Sequence, residues 1–67
     1  MDICRRIGAN LKRLRSEKGW SQEELADQAR LHRTYVSGME RGVRNPTARV
    51  LEKVAAALGV SVGTVVD

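Results

Sequence analysis

Arginine carries most of the chemistry available to this chain. Arg33, Thr34, Ser37 and Arg41 fall within one short stretch, and Arg44, Asn45 and Arg49 follow closely. A guanidinium presents five N–H donors in a planar fork that matches phosphate and other flat acceptors. The neighbouring hydroxyls and amide add smaller donors and acceptors. Residues for other chemistries are scarce. Cys4 is the one cysteine and His32 the one histidine, so neither an internal disulfide nor a Cys/His zinc site is expected. There is no glycine-rich phosphate loop and no carboxylate pair on a plausible cleft. The expectation is a non-enzyme without metal, cofactor or small-molecule ligand.

The 67 residues suffice for a single small domain, 1–67, with 12 Lys+Arg against 8 Asp+Glu and a net charge of +4. That charge is uneven: residues 1–18 carry +4, 19–32 carry −2, 33–49 carry +3 and the remainder −1. Two basic blocks flank an acidic one, which reads either as a positive binding face or as ordinary solvated helix faces. No apolar run approaches the ~20 residues of a membrane span, and no secretory signal opens the chain. A cytoplasmic protein with no membrane partner is expected.

Helix signals decide how these side chains are held. Ser21, with Glu24 three residues later, forms a capping box. Trp20 and Leu25 bracket it as a hydrophobic staple, a spacing repeated by Leu31 and Val36, by Pro46 and Leu51, and by Val60 and Val65. Gly19, Gly42 and Gly59 mark stops. Between these marks the apolar spacing is helical. Ile3, Ile7, Leu11 and Leu14 line a first helix over roughly residues 2–18. Further helices are predicted over roughly 22–29, 33–41 and 48–58, with a short fifth around Val62, Val65 and Val66. Gly8 inside the first helix suggests that another helix crosses closely there. The predicted fold is all-α, a compact five-helix domain.

Only Arg30-Leu31-His32 separates the second helix from the third, too short a link to return the chain antiparallel. A steep crossing follows, as in a helix-turn-helix over roughly 21–41. Val36 and Met39 then face the core, leaving Arg33, Thr34, Ser37, Gly38 and Arg41 on the opposite arc. His32 stands at an N-cap where Ser, Thr or Asp is stronger, and is expected to cap through a ring nitrogen or to approach a phosphate. Arg30 also falls in this turn.

In this context the sequence resembles the Cro and lambda-repressor-like (XRE-type) family of DNA-binding domains. The matching stretches are Leu11-Lys12-Arg13-Leu14-Arg15, Gly19 to Ala26, Met39-Glu40-Arg41-Gly42, Asn45-Pro46-Thr47 and Ala57 to Ser61. Arg33-Thr34-Tyr35-Val36-Ser37-Gly38 is locally similar to the controller proteins of restriction–modification systems. The resemblance implies a lambda-repressor-like fold and a transcription regulator or repressor. It also implies a homodimer on a roughly palindromic duplex operator, with the third helix in the major groove. Arg33, Thr34 and Ser37 are then the expected base readers, an arginine bonding guanine O6 and N7, while a bare Gly38 lets the helix approach.

Gln22, Tyr35, Arg41, Arg44, Asn45 and Arg49 are the expected backbone or mixed contacts. Tyr35 also suits a purely packing role. Arg49 opposes its helix dipole and needs a phosphate, a nearby acid or water screening. Arg15 and Glu40 are implied to form an internal ion pair. Related chains often place Gly or Asn at the turn position of Arg30, which implies a left-handed conformation there that would cost about 1 kcal/mol. Val60, Val62, Val65 and Val66 exceed what a short helix buries and are the expected dimer surface. Glu23, Glu24 and Asp27 are candidate RNA polymerase contacts or solvated first-turn acids. Nucleoid association follows from this reading. The alternative is a protein-interaction or antitoxin-like adaptor module, for which the exposed arc of the third helix should be more apolar.

Overall fold

The computed structural model describes residues 2–67. Each of its five helices begins where a side chain takes up an otherwise unpaired backbone amide. Asp2 receives the Arg5 amide at the start of α1 (Ile3–Glu17) and Ser21 that of Glu24 at α2 (Gln22–Ala29). His32 receives the Thr34 amide at α3 (Arg33–Glu40). Thr47 and Ser61 do the same for Val50 and Thr64 at α4 (Ala48–Leu58) and α5 (Val62–Val66). Only half of the predicted capping box forms at Ser21, because the Glu24 carboxylate accepts from Gln28 one turn on, at 3.2 Å.

The helix ends follow equally local rules. Gly19, Gly42 and Gly59 adopt positive φ, and Arg30 does so without being glycine, at φ 56°. Behind Arg30 the Leu31 amide reaches back to the Ala26 carbonyl at 2.8 Å, closing α2 and turning the chain directly into α3. The tight turn is therefore made by a strained arginine.

The core collects Ile7, Leu11 and Leu14 from α1, Leu25, Ala26 and Ala29 from α2, Val36 and Met39 from α3, Val54, Ala55 and Leu58 from α4, and Val65 from α5. Helix α3 packs against both α1 and α2, and α5 closes the other side against α1 and α4. Gly8 lies where α1 crosses the end of α3: a Cβ there would stand 2.8 Å from the Glu40 carbonyl oxygen and nearer still to that of Met39. Trp20, Leu31 and Val60 pack partly buried against the core to which Leu25, Val36 and Val65 belong, as the expected staples require.

Two apolar expectations are corrected. Ile3, placed on the core stripe, is 51% exposed, because it stands one turn outside the packed part of α1. Val65, placed on the dimer surface, is fully buried as the inner half of its staple and has no surface to offer a second chain. Val60 and Val66 are half-buried against the core, leaving Val62 as the exposed valine of this group. The end of α5 is tied down by α1: Asn10 donates to the Val65 carbonyl at 2.8 Å and Arg6 to that of Val66 at 2.9 Å. No helix among the described residues is long and apolar enough to cross a membrane.

Candidate nucleic-acid interface

The foundation of the site is a carboxylate. Glu40, with 4% of its side chain exposed, accepts from Arg15 Nε at 2.7 Å and Nη2 at 3.0 Å, and from the Gln22 amide at 3.1 Å. Arg15 also donates to the Trp20 carbonyl at 2.7 Å. One bidentate pair with two extra hydrogen bonds thus joins α1, the start of α2 and the end of α3. Its hydrogen bond to Glu40 raises the Arg15 pKa, with burial opposing and the carboxylate's charge assisting. Gln22, an expected DNA contact, is held by its amide nitrogen, so its carbonyl oxygen is positioned by the same network.

Along α3 the exposed residues are Arg33, Thr34 and, just past its end, Arg41, with Ser37 half-buried between them. Positions 33, 37 and 41 repeat every four residues and line one face. Arg33 Nη1 lies 3.5 Å from Glu23 Oε2 on α2, both side chains remaining mostly exposed. That acid offsets the unfavourable position of a cation at a helix start. His32 Nδ1 accepts the Thr34 amide at 3.2 Å and stands 2.7 Å from the Thr34 hydroxyl. Thr34 itself remains exposed.

Gly38 departs from expectation. It is buried, not bare, because the Arg44 stem runs across it. The Arg44 guanidinium carbon lies 5.3 Å from the centroid of the Tyr35 ring, a cation–π contact. Tyr35, half-buried, therefore serves at least as a packing platform. The Val43 and Arg44 amides both donate to the Gly38 carbonyl, at 3.0 and 3.3 Å, stitching the loop onto α3. Asn45 is exposed and receives a weak bond from the Cys4 thiol at 3.9 Å. Arg49 is exposed in the first turn of α4, and among the described residues no acid lies within ion-pair distance of it.

Arg33 and Tyr35 lie on α3, and Gln22 and Arg44 are linked to it by direct contacts. The Glu23–Arg33 pair and the seat beneath Arg44 had no local signal, since each joins residues from different elements. No cluster of metal-ligating side chains occurs among the described residues. Away from α3, an open depression of about 410 Å³ lies between α2 and α4, lined by Gln28, Ala29, Arg30, Lys53, Ala56 and Ala57.

Residues 11–65, from the first helix through the whole helix-turn-helix to α5, match the helix-turn-helix family. The chain belongs to that family, in its Cro and lambda-repressor-like, XRE-type branch. It is 48% identical over 61 residues to y4dJ, an uncharacterized HTH-type transcriptional regulator of Sinorhizobium fredii, covering 91% of this chain and 79% of that protein. Control protein C.MunI of a Mycoplasma species is 49% identical over 61 residues, covering 90% of this chain and 82% of its own. The crystal structure of SinR, described as the master regulator for biofilm formation, in complex with DNA superposes with a TM-score of 0.87 at 47% identity. The match covers 91% of this chain and 98% of that one. The complete SinR of Bacillus subtilis is longer, and this chain spans 56% of it. Members of this family are DNA-binding transcription regulators, not enzymes.

Proposed function

We propose that this chain is a sequence-specific DNA-binding transcription regulator that places α3 in the major groove of a duplex operator. The observation that carries this reading is the exposed, basic and polar face of α3, fixed to α2 through Glu40 and Gln22. An adaptor surface would be expected to be apolar there, and it is not. Arg33 reads guanine once it leaves Glu23, Thr34 and Ser37 touch base edges or a thymine methyl, and Gln22, Tyr35, Arg41, Arg44, Asn45 and Arg49 hold the backbone. The likeness to C.MunI and to SinR bound to DNA supports a regulator of either the controller or the repressor kind.

A homodimer on a roughly palindromic site fits this reading, because one copy covers a single half-site. Its surface centres on Val62, with the exposed edges of Val60 and Val66. RNA polymerase contact falls to Glu23, Glu24 and Asp27, all exposed on α2 and with Glu23 released once Arg33 reads DNA. The cell compartment is the cytoplasm, on nucleoid DNA.

Selection of bound sequences from a random duplex pool, followed by affinity across a salt series, tests the reading. A defined site is expected, with a log–log salt slope of about −0.9 per phosphate contact. Arg33→Ala is expected to relax preference at one guanine per half-site, by about 1–3 kcal/mol of discrimination. Arg44→Ala is expected to weaken all sequences alike. Enrichment of no sequence would overturn the proposal in favour of an adaptor module.

A further inference from the structure

Gly38 lies in the interior of α3, where glycine weakens a helix relative to alanine. Its backbone does not explain it, because the glycines at positive φ are Gly19, Gly42 and Gly59. Nor does a ligand-facing role explain it, because the residue is buried beneath Arg44. A Cβ at position 38 would overlap Arg44 Cγ and stand 3.5 Å from Arg44 Cβ and 3.4 Å from its Nε. The collision is with the stem of the side chain, close to the backbone, so a twist of the guanidinium end does not relieve it. The Arg44 amide is itself anchored to the Gly38 carbonyl at 3.3 Å, which limits retreat of the loop.

We infer that Gly38 is a positioning residue: its missing side chain makes a seat in which the Arg44 stem lies, so that the guanidinium is laid over the Tyr35 ring before any DNA arrives. The inference rests on the proposed role of Arg44 as a backbone contact. A guanidinium held over an aromatic face keeps N–H groups at its edge for a phosphate. Arg44 also has no ion-pair partner among the described residues, so its charge is not spent within the chain. Pre-placing a long side chain removes much of the rotamer entropy that binding would otherwise cost. Tyr35 and Gly38, about two turns and one turn before the loop, thus act on DNA through Arg44 rather than through base contacts of their own.

The test is a double-mutant cycle on the selected duplex, read by fluorescence anisotropy over a salt series. Arg44→Ala is expected to weaken binding roughly tenfold and to lower the salt slope by about 0.9. Gly38→Ala is expected to approach the same loss and the same slope, although alanine should raise the stability of α3. In the Arg44→Ala background, Gly38→Ala is expected to change affinity less than twofold. NMR of the free protein gives a readout independent of DNA: the Arg44 Cδ protons should show a Tyr35 ring-current shift in the parent chain, lost in Gly38→Ala. If Arg44→Ala weakens binding while Gly38→Ala does not, or if the two losses multiply, the seat is overturned. A persistent ring-current shift in Gly38→Ala overturns it as well. If Arg44→Ala itself has no effect, the proposed backbone contact falls and the seat's role in binding falls with it.

Discussion

Replacing Arg15 by methionine removes three hydrogen bonds at once, two to Glu40 and one to the Trp20 carbonyl. The Glu40 carboxylate, almost wholly enclosed, keeps only the Gln22 amide. Breaking a buried ion pair by removing one partner costs about 3–5 kcal/mol, because the other charge is left without compensation. Arg15 retains 14% exposure, so water reaches part of the site and the lower end, about 3 kcal/mol, is expected. A chain of 67 residues has roughly 3–10 kcal/mol of total stability. The single variant should therefore lose between a third and all of it.

The assay is urea unfolding followed by helical circular dichroism, with the midpoint shifting at constant slope. Arg15→Met combined with Glu40→Leu removes the orphaned charge and should recover most of the loss. Because the hydrogen bond to Glu40 raises the Arg15 pKa, the arginine's share of the pair is fully present at neutral and mildly alkaline pH and is lost as pH rises through the raised arginine value. The Arg15→Met loss should accordingly be equal at about pH 7 and about pH 9. A loss under about 1 kcal/mol would show that the pair behaves as a solvated surface contact. A double variant no more stable than the single one would show that packing, not the stranded carboxylate, sets the cost.

Gly8→Ala should destabilise by about 3 kcal/mol or more despite alanine's better helix propensity, since its Cβ would meet two backbone carbonyls that cannot turn away; an unchanged urea midpoint would contradict the close crossing. Arg30→Gly relieves a left-handed conformation costing about 1 kcal/mol, so the melting temperature should rise by a few degrees, and a fall would show that the turn is not strained. Val62→Glu should leave the fold intact and lower the mass in sedimentation at micromolar concentration, whereas Val65→Glu should unfold the monomer. Equal masses for the parent and Val62→Glu would remove Val62 from the dimer surface.

The five helices and their limits were legible in the sequence because each boundary is set within one turn of chain. A hydroxyl, carboxylate or imidazole at Asp2, Ser21, His32, Thr47 or Ser61 needs only the amide two or three residues on. The left-handed turn at Arg30 is local as well. So is the outward face of Arg33, Ser37 and Arg41, which follows from helical period once Val36 and Met39 point inward. The core was legible where these stripes continued and failed at Ile3, which lies past the point where neighbours cover the helix.

What the tertiary structure alone decided is how one element ends on another. Val65 satisfied two sequence patterns, a staple and a dimer surface, and only the packing of α5 against α1 and α4 chose the first. Gly38 belonged to the exposed arc by periodicity, yet the loop after α3 folds the Arg44 stem over it. Glu40 gathers Arg15 and Gln22 across separations of 25 and 18 residues, and Arg6 reaches the Val66 carbonyl across 60. Local rules know the conformation of a few successive residues. They contain no information about which side chain a returning segment will lay on them, and in this protein that decides how the arginines are held.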